Sequence, residues 1–360
     1  MRIDAIQITD FRNLKNLEIK DFEKINIIQG LNAQGKTNLV EAIAYLSLAE
    51  SFRNDENVDL INYQTEFARI SATISKGLYH HELKAVISKA SNKLFFDNKE
   101  LKKVSDFIGI INVVTFSPED VFLFKGSPRN RRDFLNKEIS KISPSYYLAK
   151  NQLTKLLKER NELLKSSNID RILLETYDLQ LARANSEIAK KRKDFLEKLE
   201  DIIHKEYREL IKKDVDIKIE YLNQFEGDYH TESIKERLKE SYQDDIQKGS
   251  TQIGVQKDDF VLKLDGKNVA HYGSQGQNRL AAIALKLATI KVVKDKTGEE
   301  AIVVLDDVLS ELDENKRKEL IKILSKENQV FLTTTEDEEF PELSKALKIK
   351  IVQGQTEGES

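Results

Sequence analysis

The sequence predicts an α/β protein with a helical subdomain inserted into it, on three observations. An apolar run at Ile25, Ile27 and Ile28 stops at Gly30, and helical spacing (Leu39, Ile43, Leu46) follows from Thr37. A second apolar run, Ala301 to Leu305, has the composition of a strand buried on both faces. Between them, from about Ser143 to Leu210, the chain is rich in Leu, Lys, Glu and Arg and nearly free of Gly and Pro.

The elements follow in order. Ile3, Ile6 and Ile8, then Leu17, Ile19 and Phe22, stand at strand spacing ahead of the Ile25 run. Strand character returns at Phe67 to Ile74 and Leu83 to Ser88. Lys93 to Lys99 reads as a hairpin arm turning at Asp97-Asn98. Ile110 to Phe116 is a further strand, closed by Ser117-Pro118. In the helical stretch, Ser166-Ser167-Asn168 supplies a turn and an N-cap. Beyond it Tyr177, Leu181, Ala184, Ile188, Phe195, Leu199 and Ile202 make one apolar seam. A helix before the break, with Leu153, Leu156, Leu157 and Leu164, can pack antiparallel against it. At 1.5 Å per residue each arm is a few tens of ångströms long, too short for a coiled-coil rod. Val215 to Tyr221 alternates as a strand, Thr231 to Gln247 reads as one charged helix, and Phe260 to Leu264 is a strand ending in an Asp265-Gly266 turn. Leu280 to Val293 is helical, Val330 to Thr335 is a buried strand, and the polar tail from Gln353 is expected to fray.

Composition excludes several functions. With 39% hydrophobic and 33% charged residues the chain can build a core under a highly charged surface. No cysteine is present, which removes disulfides, thiolate zinc sites and cysteine nucleophiles. His80, His81, His204, His230 and His271 show no ligand spacing. No apolar run approaches the ~20 residues needed to span a bilayer, and no apolar signal region follows Met1-Arg2-Ile3-Asp4, so a cytoplasmic protein without a membrane partner is expected. The net charge is -3, so any nucleic acid must be held by local basic patches.

Gly30-Leu31-Asn32-Ala33-Gln34-Gly35-Lys36-Thr37 fits the phosphate-loop pattern G-x-x-x-x-G-K-[ST], between the strand and the helix that the motif requires. Glycines let the backbone wrap around phosphates, and successive N–H groups and the helix N-terminus supply positive potential. Lys36 would reach the β and γ phosphates of ATP or a related nucleotide, Thr37 would hold Mg²⁺, and Asn38 extends the binding segment. Val303-Val304-Leu305-Asp306-Asp307 places an acidic pair at the end of a buried strand, as a Walker B element does. There Asp306 would orient the metal through water and Asp307 would act as general base.

Tyr272 to Arg279 opens the helix before Walker B. A small, hydroxylated, Gly-containing segment at a helix N-terminus can cap a γ-phosphate. Its place in the chain resembles the signature of ABC-type ATPases, in which the signature of one subunit closes on the ATP held by another; Ser310-Glu311-Leu312-Asp313 resembles their D-loop. The fold expected is an ABC-type ATPase head, with mixed β-sheets around the phosphate-loop helix and an inserted arm. Residues 1–115 and 251–353 would form the ATPase, 116–250 the arm, and 354–360 a polar tail.

Over essentially its whole length the chain resembles the bacterial RecF family of DNA gap-repair ATPases, which are related to SMC heads. Thr9-Asp10-Phe11-Arg12-Asn13, Ser51-Phe52-Arg53, Phe116-Ser117-Pro118-Glu119-Asp120 and Lys125-Gly126-Ser127-Pro128 with Arg131-Arg132 match the family's segments in order. So do the signature Ser274-Gln275-Gly276-Gln277, the Walker B acids and the D-loop. The resemblance adds Arg12 and the four signature residues to the nucleotide-binding set. It implies an ATP-driven homodimer and slow hydrolysis. The dimer would be a clamp on gapped, duplex or junction DNA that promotes recombinase loading, with RecR- and RecO-type mediators as partners. Two departures stand out. The family's G-P-H-R-D-D is Gly254-Val255-Gln256-Lys257-Asp258-Asp259 here, and the second Walker B acid is Asp307 where many ABC ATPases carry Glu. Thr334 and Thr335 occupy the switch position that otherwise holds His.

Basic candidates for DNA are Lys125, Arg129, Arg131 and Arg132, and Lys190, Lys191, Arg192 and Lys193. No Trp is present for base stacking, and Tyr146-Tyr147 reads as core or interface. The alternative is an SMC-like ABC ATPase that tethers DNA structurally, against which the short arms and absent hinge argue. A transporter ATPase is disfavoured by the arm and the lack of a glutamine-bearing loop near Pro118, and a nuclease by the lack of an acidic domain after Walker B.

Overall fold

The computed structural model describes residues 1–53, 56–335, 343 and 345–357. The chain divides into two compact units, one of Met1–Asp120, Glu209–Lys212 and Lys286–Ser360, the other of Val121–Arg208 and Lys213–Leu285.

The first unit carries two six-stranded sheets. One is antiparallel, in the order β2 (Leu14–Ile19), β1 (Arg2–Phe11), β4 (Phe67–Lys76), β5 (Tyr79–Ser88), β6 (Asn92–Phe96), β7 (Lys99–Leu101). Alternation fixes its register: Ile6 faces Ile19 on one neighbour and Ala72 on the other, all buried. Asp97 and Asn98, at φ 48° and 61°, make the expected two-residue turn between β6 and β7. The second sheet runs β15 (Gln355–Thr356), β14 (Leu347–Val352), β3 (Ile25–Gln29), β13 (Gln329–Thr334), β12 (Ile302–Leu305), β8 (Val113–Phe116), parallel from β14 to β8.

Helix α1 (Lys36–Leu48) touches β8 and β13 of one sheet and β1 and β5 of the other. A helix covered on both sides needs an apolar circumference, and every residue of α1 except Thr37 and Asn38 is buried. Its Leu39 and Ile43 join Ile3, Ile6, Phe11 and Phe331 in one core. Short α2 (Asn57–Leu60) follows, and α11 (Glu314–Ser325) packs on β13.

In the second unit, short α3 (Phe122–Lys125) leads into α4 (Pro128–Ile142), α5 (Pro144–Leu164) and the 41-residue α6 (Arg171–Ile211), about 60 Å long. The predicted break is present, but α6 opens at Arg171. Its cap is Asp170, whose carboxylate accepts from the N–H groups of Ile172 and Leu173. Leu181, Ala184, Ile188, Phe195 and Leu199 of the predicted seam are buried, as are Leu153, Leu156 and Leu164 of α5. The single helix expected over Thr231 to Gln247 is two, α7 (Thr231–Glu240) and α8 (Tyr242–Lys248). The break is at Ser241, whose hydroxyl donates to the Leu238 carbonyl at 2.9 Å. Strands β9 (Ile217–Leu222), β10 (Asp259–Leu264) and β11 (Lys267–Asn268) form an antiparallel sheet, and α9 (Val269–Tyr272) precedes α10 (Gln275–Thr297), which continues into the first unit.

The tail departs from expectation. Gln353 does not begin a frayed end: β15 folds back on β14, with Ile351 opposite Thr356 and Val352 opposite Gln355. Residues 358–360 lie outside the described residues. No described helix is long and apolar enough to cross a membrane.

Candidate nucleotide-binding site

Parallel pairing of β3, β13, β12 and β8 brings the ends of these strands to one edge, where ligands of open parallel sheets sit. The loop Gly30 to Gly35 leaves β3 there. Gly35 is the N-cap of α1 at φ 111°, and a Cβ on it would lie 2.9 Å from Asn13 Oδ1. Ala33 adopts φ 64°, so the loop is left-handed even where the residue is not glycine. Lys36 is 5% exposed, and its Nζ donates to the carbonyls of Gly30 at 2.7 Å and Leu31 at 3.1 Å. Leu31, Asn32 and Ala33 are exposed, and Gln34, Thr37 and Asn38 half-buried.

Across the edge, β12 delivers Asp306. The Thr37 hydroxyl donates to Asp306 Oδ1 at 3.0 Å, so residues 269 positions apart meet. Thr333 Oγ1 lies 3.0 Å from Asp306 Oδ1 and 3.2 Å from Asp307 Oδ1, and it accepts from the Asp307 N–H at 2.9 Å. Burial pushes the Asp306 carboxyl above the usual carboxylate range and the charge of Asp307 adds to this, while the Thr333 and Thr37 hydroxyls oppose it. A hydroxyl beside a carboxylate is the hard-oxygen pair that Mg²⁺ takes, so Thr37 and Asp306 fit that ion. Asp307 takes φ 51° and its carbonyl accepts from Ser310 Oγ at 2.8 Å.

Ser274 to Gln277 cap α10. The Gln277 N–H donates to Ser274 Oγ at 3.2 Å and the Ser274 N–H to Gln277 Oε1 at 2.8 Å, a reciprocal capping box. Buried Asn278 holds the approach, its Nδ2 within 3.0 Å of the carbonyls of Val269, Gly273 and Ser274. Ser274, Gln275, Gly276 and Gln277 are all exposed, as is Tyr272 beside them.

Other candidates lie elsewhere. Arg12 pairs through Nε and Nη2 with both oxygens of Glu41, at 2.5 and 2.7 Å. Glu41 is fully buried on α1 and also receives Ser51 Oγ at 2.6 Å and Arg53 at 3.5 Å. The Arg12 and Ser51-Phe52-Arg53 segments thus converge on one buried acid that sequence reasoning passes over. Among the basic candidates, Arg131 is buried and bidentate on Asp259, and Arg192 is buried against Asp258 at 3.4 Å. Four consecutive helical residues at ~100° each span most of the circumference, so one of Lys190 to Lys193 must face inward; it is Arg192. Arg132 donates to the Asp258 carbonyl at 2.9 Å. Exposed candidates are Lys125, Arg129, Lys190 and Lys193. Tyr146 is core, its hydroxyl 2.7 Å from Asn136 Oδ1.

Sequence reasoning misses Thr333, Asn13 and the Gln353-Gly354 turn. Thr333, one residue ahead of the switch position given to Thr334 and Thr335, touches the acids. The parallel register sets this, with Leu305 opposite Leu332, so the residues that follow the two leucines stand together. Asn13 accepts from Asn38 Nδ2 at 2.7 Å beside Gly35.

A phosphate loop and an acid pair on a parallel sheet edge, an antiparallel second sheet and a capped segment opening a long helix define an ABC-type ATPase head. The fold is that of the SmcHead bound to the C-winged helix domain of ScpA, which superposes with a TM-score of 0.55 at 14% identity over 99% of this chain and 96% of that one. A family model described as the RecF/RecN/SMC N terminal domain matches residues 2–357. The chain belongs to the RecF family of DNA replication and repair proteins. It is 36% identical over 344 residues to RecF of Listeria monocytogenes serotype 4b, 93% of each chain, and 38% identical over 345 residues to RecF of Bacillus cereus, 93% of this chain and 92% of that one. The solved structure of the recombination mediator protein RecF-ATP in the RecFOR pathway matches with a TM-score of 0.90 at 33% identity, covering 99% of this chain and 97% of that one.

Proposed function

We propose that the chain is an ATP-dependent DNA-binding protein of recombinational gap repair and replication restart, whose ATP-bound form is a homodimeric clamp on DNA. The observation that carries the reading is the meeting of Thr37 and Asp306 at 3.0 Å beside buried Lys36. Lys36 and the N–H groups of Gly30 to Asn38 hold the phosphates, and Thr37 and Asp306 hold Mg²⁺. The bound ion would neutralise phosphate charge. Asp307 accepts a proton from the attacking water; being one methylene shorter than Glu it reaches less far, which supports slow turnover. Arg12 acts at this site through Glu41 and α1, as its bidentate pair supports.

Ser274 to Gln277 are exposed, capped and preorganised, as a segment completing a partner's site must be. The dimer places Ser274 of one copy on the nucleotide at Lys36 of the other. Residues 1–115 and 251–353 supply this ATPase and 116–250 the arm. Exposed Lys125, Arg129, Lys190 and Lys193 supply phosphate contacts that do not read sequence. Gapped, duplex or junction DNA and RecR- and RecO-type mediators are the partners, in keeping with the RecFOR-pathway relatives.

Sedimentation velocity with and without ATP, repeated with gapped DNA, tests this. Wild type should dimerise with ATP, and Lys36→Ala and Ser274→Arg should both stay monomeric. Lys36→Ala should lose nucleotide affinity at least tenfold, while Ser274→Arg keeps it. An ATP-independent monomer, or unchanged affinity in Lys36→Ala, refutes the reading.

A further inference from the structure

We propose that the C-terminal hairpin is a positioning element for the phosphate loop, so that ATP affinity depends on the Gln353-Gly354 turn. This rests on the ATP reading of the loop. The turn delivers two consecutive N–H groups to one loop residue. Gly354 N donates to the Gln34 carbonyl at 2.9 Å, and Gln353 N donates to Gln34 Oε1 at 2.5 Å. The hairpin also limits Gly30, where a Cβ would lie 2.4 Å from the Ile351 carbonyl oxygen. It backs Asn13 as well: a Cβ on Gly354 would meet the Asn13 carbonyl oxygen at 2.4 Å, and the Asn13 side chain reaches Ala33 O at 3.5 Å and Asn38 at 2.7 Å. Loop residues 30, 33 and 34 are thereby fixed from one side.

The arrangement suits an anion cradle. A nest presents its N–H groups to one anion, and the turn occupies the Gln34 carbonyl with the Gly354 N–H. The turn itself is stiff. Gln353 and Gly354 have φ 49° and 79°, the signs of a two-residue type I′ hairpin. The Glu357 N–H closes the hairpin on the Lys350 carbonyl at 2.9 Å, and the two side chains form an ion pair. β14 is paired with β3, the strand that feeds the loop, with Lys350 opposite Gln29. Gly354 is buried, and besides the loop residue Gln34 the turn meets the backbone of Asn13 and Leu14. Preorganising a binding loop lowers the ordering cost on binding.

Calorimetric ATP titration of the full chain, wild type against Gly354→Ala, Gln34→Ala and a chain ending at Val352, tests this. Gly77→Ala is the control: Gly77 also has positive φ (60°), with no atom within 4 Å of an added Cβ. Gly354→Ala and the truncation should lose about tenfold in ATP affinity and Gln34→Ala about threefold, each tenfold being ~1.4 kcal/mol. Gly77→Ala should stay within twofold. Gly354→Ala, whose added Cβ meets the Asn13 backbone at 2.4 Å, should also melt below Gly77→Ala without nucleotide, whereas Gln34→Ala should melt with wild type and so reads the hairpin contact apart from stability. Wild-type binding that Lys36→Ala destroys, but that Gly354→Ala and the truncation keep within twofold, overturns the hairpin's role and spares the ATP reading. Wild type that does not bind ATP overturns both. If Gly354→Ala and the truncation do not fold, Gln34→Ala decides, and unchanged affinity in that variant overturns the proposal.

Discussion

Asp306 sits where a carboxylate is least at ease. It is 7% exposed, and burial with the neighbouring Asp307 charge holds its carboxyl above the usual range despite the Thr333 and Thr37 hydroxyls. A group whose folded pKa exceeds its unfolded value binds extra protons in the native state between the two. Its cost to stability is absent below the unfolded pKa, sets in as pH rises through the window, and is complete above the folded pKa. Asp306→Asn keeps an oxygen acceptor for both hydroxyls and removes that cost. Thermal melts should show the Asp306→Asn variant more stable than wild type at pH 8, with the gain shrinking towards pH 4, while Mg²⁺-dependent ATP hydrolysis falls at least a hundredfold. A lower melting temperature at pH 8 would mean that the hydroxyls outweigh desolvation. At this scale the loop and acid pair were legible in the sequence, because phosphate and metal chemistry demand fixed residue types at fixed spacing. Thr333, Glu41 and Asn13 were not, because they reach the site only through strand register and helix packing.

Elements were legible where one period ran unbroken. The strands of the first sheet, α1 and the seam of α6 all follow from apolar spacing, since each buries one defined set of positions. Helices α4 and α11 went unread: their buried faces are short and charge dominates their composition, so no long periodic run marks them. The β14–β15 hairpin reads as a polar tail in the sequence because its strand β15 is only two residues long. Charge misled in a second way. Basic residues that suggest a DNA surface proved in part to be ties within the second unit, Arg131 to Asp259 and Arg192 to Asp258. Arg160, never a DNA candidate, is a more extreme tie: fully buried on α5, it bonds Asp178 of α6 at 2.8 Å, Asp245 of α8 at 2.7 Å and Thr251 at 2.8 Å. One guanidinium thus joins three segments, two of them through fully buried acids. Arg160→Ala leaves two carboxylates buried without their cation, which costs about 3–5 kcal/mol. Hydrogen exchange should show α5 and α6 opening at a free energy lower by that amount. A loss under ~1 kcal/mol would mean that the acids find protons or other donors instead.

For the whole molecule, the decisive question is whether one chain or two complete the reaction. The phosphate loop and the acid pair lie in one compact unit, and the signature in the other. If ATP on the loop of one copy is capped by Ser274 of a second, the dimer is isologous and its two sites are equivalent. Lys36→Ala then destroys both sites of a homodimer, and so does Ser274→Arg. Mixing the two variants gives a different result. In the heterodimer the Ser274→Arg chain still has an intact loop, and the Lys36→Ala chain still has an intact signature, so these two make one complete site. The remaining site carries both defects. Neither variant dimerises alone, so every dimer in the mixture is mixed, and with one complete site of two it should return up to about half of wild-type ATPase activity. Should each chain instead complete its own site, every chain in the mixture still carries a defect and nothing returns. Adding gapped DNA sharpens the contrast: a clamp closed by one intact site should hold the mixed dimer on DNA after either variant alone has dissociated, and size-exclusion chromatography with labelled DNA would read that retention directly.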